Sequence, residues 1–231
     1  MSLPGRAGRE SQAADFNIYE AMKKVIVSIV ASLLAAILGI IGLNLLKEAS
    51  PRERVKAESG SRIIVEELSF YHGNDKIFGK VFKPADENGF FPDSLGLRPV
   101  IVFFHEPLKT AYPENLVKSL VPEGLVGYTT AFHEKEKDVE FMVKKIRKER
   151  FADKDRVYLI CDTFSSDAVV RAARSLGKNV SGLILIAPEL DDKTSSLMPK
   201  LGYEVLTIEA ADKASAKTMT FDYLELMGAL K

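Results

Sequence analysis

Hydrophobic and polar residues follow two unlike regimes along this chain. From Val25 to Leu46 the sequence VIVSIVASLLAAILGIIGLNLL carries no charge, and only Ser28, Ser32 and Asn44 interrupt its apolar run. At about 1.5 Å of rise per residue, a helix of this length covers the roughly 30 Å hydrocarbon core of a bilayer. Lys23, Lys24 and Lys47 stand where headgroups would meet them. The run exceeds the roughly 7–15 apolar residues of a cleaved signal peptide and ends in Leu45-Leu46-Lys47-Glu48 without a small-x-small cleavage site. It therefore reads as an uncleaved, single-pass signal anchor. Small residues recur at Ser28, Ser32 and Ala36, and at Ala31, Ala35 and Gly39, a spacing that lets two such helices approach and form a homodimer. Long carboxy-terminal domains translocate largely regardless of charge, so the rest of the chain is expected on the extracytoplasmic side.

Around this segment the pattern changes. Residues 1–21 are polar and read as a tail, 22–47 as the transmembrane anchor, and the charged stretch 48–60, with Pro51 and Gly60, as a linker. From 61 to 231 apolar runs alternate with amphipathic ones. Arg62 to Phe70 and Lys76 to Lys83 flank the turn-forming cluster Tyr71-His72-Gly73-Asn74-Asp75, which predicts an antiparallel hairpin. Near-continuous apolar runs follow at Pro99–Phe104, Leu125–Phe132, Arg156–Cys161, Gly182–Ala187 and Tyr203–Ile208. Such runs suit strands buried on both faces of a parallel sheet.

Helical spacing lies between them. In 134–150, Val139, Met142, Val143 and Ile146 form one apolar stripe, with interleaved acids and bases on the remaining faces. Further helices are expected near 112–121, 165–177 and 219–230. The whole predicts an α/β fold: a mostly parallel sheet with an amino-terminal antiparallel hairpin and helices on both faces. In such sheets chemistry collects at the carboxyl ends of the strands.

The segments IFGKVFKP (77–84), RPVIVFFHE (98–106), DKDRVYLICDTFSSDAVVRAA (153–173) and SGLILIAPEL (181–190) resemble the α/β-hydrolase superfamily, in its dienelactone-hydrolase-like and peptidase-like branch. The resemblance covers about 62–231. It implies a strand leading into a sharp G-x-S-x-G turn that carries a nucleophilic serine. On that frame Cys161 and Ser165 replace the two glycines and Thr163 replaces the serine. It also implies an acid after the seventh strand, where Asp212 stands, and then a histidine. The three histidines, His72, His105 and His133, all precede the turn, and the eighth strand with its histidine loop is absent from the pattern. In the oxyanion-loop position His105 matches the family, but Glu106 adds negative charge and Pro107 removes an N–H donor. Losing serine, glycines and base together implies a catalytically degenerate domain that binds or scaffolds. The alternative is a diverged ester or peptide hydrolase that uses Thr163 with a relocated histidine, His105 or His133.

Composition narrows this picture in three ways. The 32 basic and 32 acidic residues cancel, so no basic excess exists to drive nucleic-acid binding. The lone cysteine, Cys161, excludes an intrachain disulfide and any multi-cysteine metal site. No cofactor is expected, and His105, His133, Asp162 and Glu106 lack the close spacing of a metal site.

Overall fold

The computed structural model describes residues 62–230 apart from 74, 93–95, 132–134 and 210–211. The expected tail, anchor, small-residue stripe and linker, and also His133, lie outside the described residues. Among the described residues no helix is long and apolar enough to cross a membrane.

Seven strands form one sheet. They are β1 (Ile63–His72), β2 (Asp75–Pro84), β3 (Arg98–His105), β4 (Val126–Ala131), β5 (Ala152–Asp162), β6 (Gly182–Ile186) and β7 (Val205–Ile208). Their order across the sheet is β1-β2-β4-β3-β5-β6-β7. The first two pair antiparallel with each other, and β2 pairs antiparallel with β4; all remaining pairs are parallel. The expected hairpin is present, and its pairing continues further into the Tyr71–Asp75 cluster than the sequence suggested, as far as His72↔Asp75. Gly73 has φ +63°, a conformation that costs glycine little.

Each central strand feeds two cores because successive side chains point to opposite faces. From β3, Val100, Val102 and Phe104 enter one core while Ile101 and Phe103 enter the other. From β5, Val157, Leu159 and Cys161 divide in the same way from Tyr158 and Ile160. The first core is closed by helices α2 (Glu136–Ile146) and α3 (Ser166–Leu176). On the opposite face lie α1 (Ala111–Leu120) and the last long helix, α5 (Lys213–Leu226). A single-turn helix, α4 (Asp192–Ser195), separates β6 from β7. Val139, Met142, Val143 and Ile146 are all buried, as their spacing predicted.

Two expectations need correction. The closing helix begins at Lys213 rather than near 219, because Asp212 caps it: its carboxylate accepts from the backbone N–H groups of Ala214 and Ser215. Asp138, read as part of a solvated charged face, is buried under the hairpin.

Close approach of α1 to the sheet depends on Gly127 in β4, where an added Cβ would run into the Val117 side chain. Val117 is itself fully buried and has nowhere to move. Gly127→Ala is therefore expected to lower stability by about 1–3 kcal/mol through overpacking, read as a lower denaturation midpoint. An unchanged midpoint would mean that α1 has slack against the sheet.

Candidate active site

Four strand ends meet at the carboxyl edge of the sheet: β3 ends on His105, β5 on Asp162, β6 just before Ala187, and β7 before Asp212. The turn after β5 is a single 3₁₀ turn, Thr163–Ser165, that runs directly into α3. Asp162 is extended, with φ −97° and ψ −178°. Among the described residues the only non-glycine with positive φ is Ala187, at +46°. Thr163 thus carries none of the left-handed strain that a sharp nucleophile turn stores. A β-branched residue tolerates that region poorly, and here the backbone has relaxed around it.

Every hydroxyl of the turn is committed to a backbone carbonyl. Thr163 Oγ1 donates to the Ala187 carbonyl across 2.5 Å. Ser165 is fully buried, and its Oγ donates to the Phe104 carbonyl at 2.8 Å, tying the turn to β3. Ser166 Oγ lies 2.9 Å from both the Thr163 and the Glu189 carbonyl oxygens. At position 165, where the resemblance implies a glycine, a small side chain fits, and its hydroxyl donates to a carbonyl of β3.

His105 is buried at the end of β3, and its Nδ1 donates to the Glu106 carbonyl at 2.8 Å. A carbonyl oxygen only accepts, so Nδ1 carries a proton. The bond orients the ring without involving Thr163. Glu106 forms an ion pair with Lys109 at 2.6 Å, so the extra negative charge in this loop is locally balanced. Asp212 caps α5 and is exposed; hydrogen bonds from Ser215 and from the backbone N–H groups hold its carboxyl below the ordinary range. Cys161 is fully buried, and burial pushes its thiol well above the ordinary value, so it supplies no thiolate.

Two further groups matter here: Asp162, which the sequence offered only as an ill-spaced metal ligand, and Tyr112, which it did not single out. Burial raises the Asp162 carboxyl above its ordinary value, an effect opposed by the Ser165 hydrogen bond and by the nearby His105 and Lys109. Tyr112, on α1, has a buried hydroxyl with no hydrogen-bond partner among the described residues. Its proton is held more tightly than usual, first by burial and then by the charges of Asp162 and Asp212. Asp162 stood in plain view beside the turn, but α1 comes to the site only through the fold. A shallow cleft of about 460 Å³ opens beside Thr163 and is lined also by Glu106, Lys109, Phe164, Asp167 and Arg171, among others.

Comparison with solved structures decides the architecture. The chain superposes on a proposed dipeptidyl aminopeptidase IV from Bacteroides ovatus with a TM-score of 0.56 at 11% identity, over 73% of this chain and 36% of that one. A dienelactone hydrolase-like promiscuous phosphotriesterase from metagenomic libraries gives 0.54 at 12% identity, over 74% of this chain and 99% of that one. A proposed dienelactone hydrolase from Klebsiella pneumoniae gives 0.52 at 11% identity, over 73% and 99%. The chain has the α/β-hydrolase fold. It spans nearly the whole of both dienelactone-hydrolase-type proteins but about a third of the peptidase. No protein-family model matches the sequence, and neither does any curated protein.

Thr163 and His105, which the resemblance marks as the nucleophile and oxyanion-loop positions, lie at the same sheet edge, but no hydrogen bond joins them. The histidine that does meet a carboxylate is His72, whose Nδ1 lies 2.6 Å from Asp138 Oδ1 and whose ring stacks on Phe141 at 4.8 Å. His72 ends β1, four strand positions from β5, or about 19 Å at the usual spacing, and Asp138 meets it from α2. It cannot serve the turn.

Because the folded chain holds the Asp162 proton more tightly than the unfolded chain does, stability falls as pH rises through the window above the ordinary aspartate value of 3.8. Asp162→Asn is expected to be more stable than the parent near neutral pH, and the gain should vanish in acid, where Asp162 is protonated in both states. Denaturation midpoints across that pH range check this; a variant less stable at neutral pH would reverse the assignment.

Proposed function

We propose that this chain is a membrane-anchored α/β-hydrolase-like protein that has lost acyl-transfer chemistry and works as a binding or scaffolding module. One observation carries the reading. The Thr163 hydroxyl gives its proton to the Ala187 carbonyl, where a nucleophile would give it to a histidine. A positioned base is worth on the order of 10²–10⁴ in rate, and no base takes this proton among the described residues. The relaxed turn and the acid-flanked oxyanion loop point the same way, since both disfavour a developing anion at the strand end.

The remaining groups suit recognition. The cleft beside Thr163 keeps an open floor, a half-exposed Phe164 and opposite charges on its rim. The anchor rests on the charge-free run Val25–Leu46 and on the charged linker that separates it from the domain.

A second reading keeps catalysis. Asp162 lies near enough to His105 for the two to interact electrostatically, and an acid beside a buried histidine is half of a proton-transfer site. One assay separates the readings. The full-length protein is given short-chain acyl esters and a serine-directed fluorophosphonate. Turnover at the level of the Thr163→Ala variant, with no labelling, is expected; turnover or labelling that Thr163→Ala abolishes would restore the enzyme.

Anchoring has its own measurement. The full-length chain should stay with membranes through alkaline carbonate extraction, and protease outside intact cells should digest the domain. Release by carbonate removes the anchor; protection of the domain reverses its orientation.

A further inference from the structure

On the face of the sheet away from α2 and α3, the first and last long helices stand beside each other over β3 and β5. Between them lies a groove of about 340 Å³, separate from the cleft beside Thr163 and lined by Ala111, Tyr112, Asn115, Leu116, Lys213 and Lys217. Helical spacing builds it. Tyr112 and Leu116 are four residues apart on α1 and form an apolar floor, while Lys213 and Lys217 are four apart on α5 and form a cationic wall.

The groove differs in charge from the cleft beside Thr163. In the cleft beside Thr163, Lys109 pairs with Glu106, and Arg171 lies near Glu136 and Asp191. Neither Lys213 nor Lys217 has a carboxylate partner among the described residues; each instead lies over an aromatic ring, Tyr112 and Phe221 respectively, at 5.7 Å. No acidic residue lines the groove. An apolar floor beside two uncompensated ammonium groups is complementary to a small molecule with an apolar body and one anionic end.

We infer that the α1–α5 groove binds a small apolar monocarboxylate. The carboxylate meets Lys213 and Lys217, and the hydrocarbon or aromatic body lies over Tyr112 and Leu116. At roughly 30 Å³ for a water-sized group, the groove accommodates on the order of ten such groups, the size of a phenylalkanoate or a medium-chain acid. The Tyr112 ring faces the groove, whereas its hydroxyl is among the charges of Asp162 and Asp212. Repulsion from those acids orients the ligand with its charge outward, toward the lysines. This inference is independent of whether the turn at Thr163 retains activity.

The test uses the full-length chain in nanodiscs of zwitterionic lipid, titrated calorimetrically with 4-phenylbutyrate and with its neutral isostere 4-phenylbutanamide, against empty nanodiscs. Saturable binding of the acid is expected, with a preference over the amide of about fivefold or more that shrinks in high salt. The exposed pair Lys213→Gln/Lys217→Gln should erase the preference, and Asn115→Trp, which fills the groove from its exposed wall, should weaken both ligands. Equal affinity for acid and amide, an unaltered preference in the double variant, or no saturable binding at millimolar concentration would each overturn the proposal.

Discussion

The carboxyl end of a parallel sheet buried on both faces leaves strand carbonyls that must find donors, and this requirement governs the centre of the molecule. Here three side-chain hydroxyls donate to backbone carbonyls in and just beyond the strands. Thr163 reaches across to Ala187 beyond β6, Ser165 reaches to Phe104 in β3, and Ser166 reaches the Thr163 and Glu189 carbonyls. The turn after β5 is thereby fastened to the strand on either side of it. In a working G-x-S-x-G turn the hydroxyl must be free to meet a base, and the strain of the turn exposes it. In this structure the Thr163 proton goes to the Ala187 carbonyl and not to a histidine. The proposed loss of acyl-transfer chemistry rests on that structural use of the hydroxyl.

Electrostatics around the turn reinforce this. Asp162 is half-buried beside it, Glu106 stands where the family places a glycine, and Tyr112 brings a buried hydroxyl among the acids. The carboxyl groups of Asp162 and Glu106 make an added negative charge at the strand ends more costly, whereas the neutral Tyr112 hydroxyl is a donor. Lys109 offsets Glu106 but is itself exposed, so solvent screens much of its contribution. An edge of this kind suits a neutral or cationic ligand group better than an oxyanion. The uncompensated cations lie elsewhere, on α5, which divides the domain's surface between an acid-rich strand edge and a basic groove.

That division follows from where the chain turns. After β7 it passes into α5, capped by Asp212, and α5 packs over Tyr158, Ile160 and Ile184 beside α1. Asp212, which the resemblance marks as the acid of a catalytic set, is instead a helix cap. The cap organises the amino end of α5 and so places Lys213 and Lys217 against α1. A residue read for its chemistry has its clearest effect through the helix that it starts.

Much of this was legible in the sequence. The continuous apolar runs announced a sheet buried on both faces, the Tyr71–Asp75 cluster announced the hairpin, and the stripe of Val139, Met142, Val143 and Ile146 announced α2, because burial periodicity is a local property of the backbone. The replacements at Cys161, Thr163 and Ser165 were visible too, since a motif occupies consecutive positions. What the hydroxyls do instead was not visible: Ser165 and Phe104 are 61 residues apart and meet only across neighbouring strands. The same holds for His72 with Asp138, for the Tyr112 hydroxyl among the strand-end acids, and for the groove between the first and last long helices. Sequence determined which segments bury and which motif had changed; tertiary structure alone decided the partners, because hydrogen bonds and charges act over a few ångströms whatever the separation along the chain.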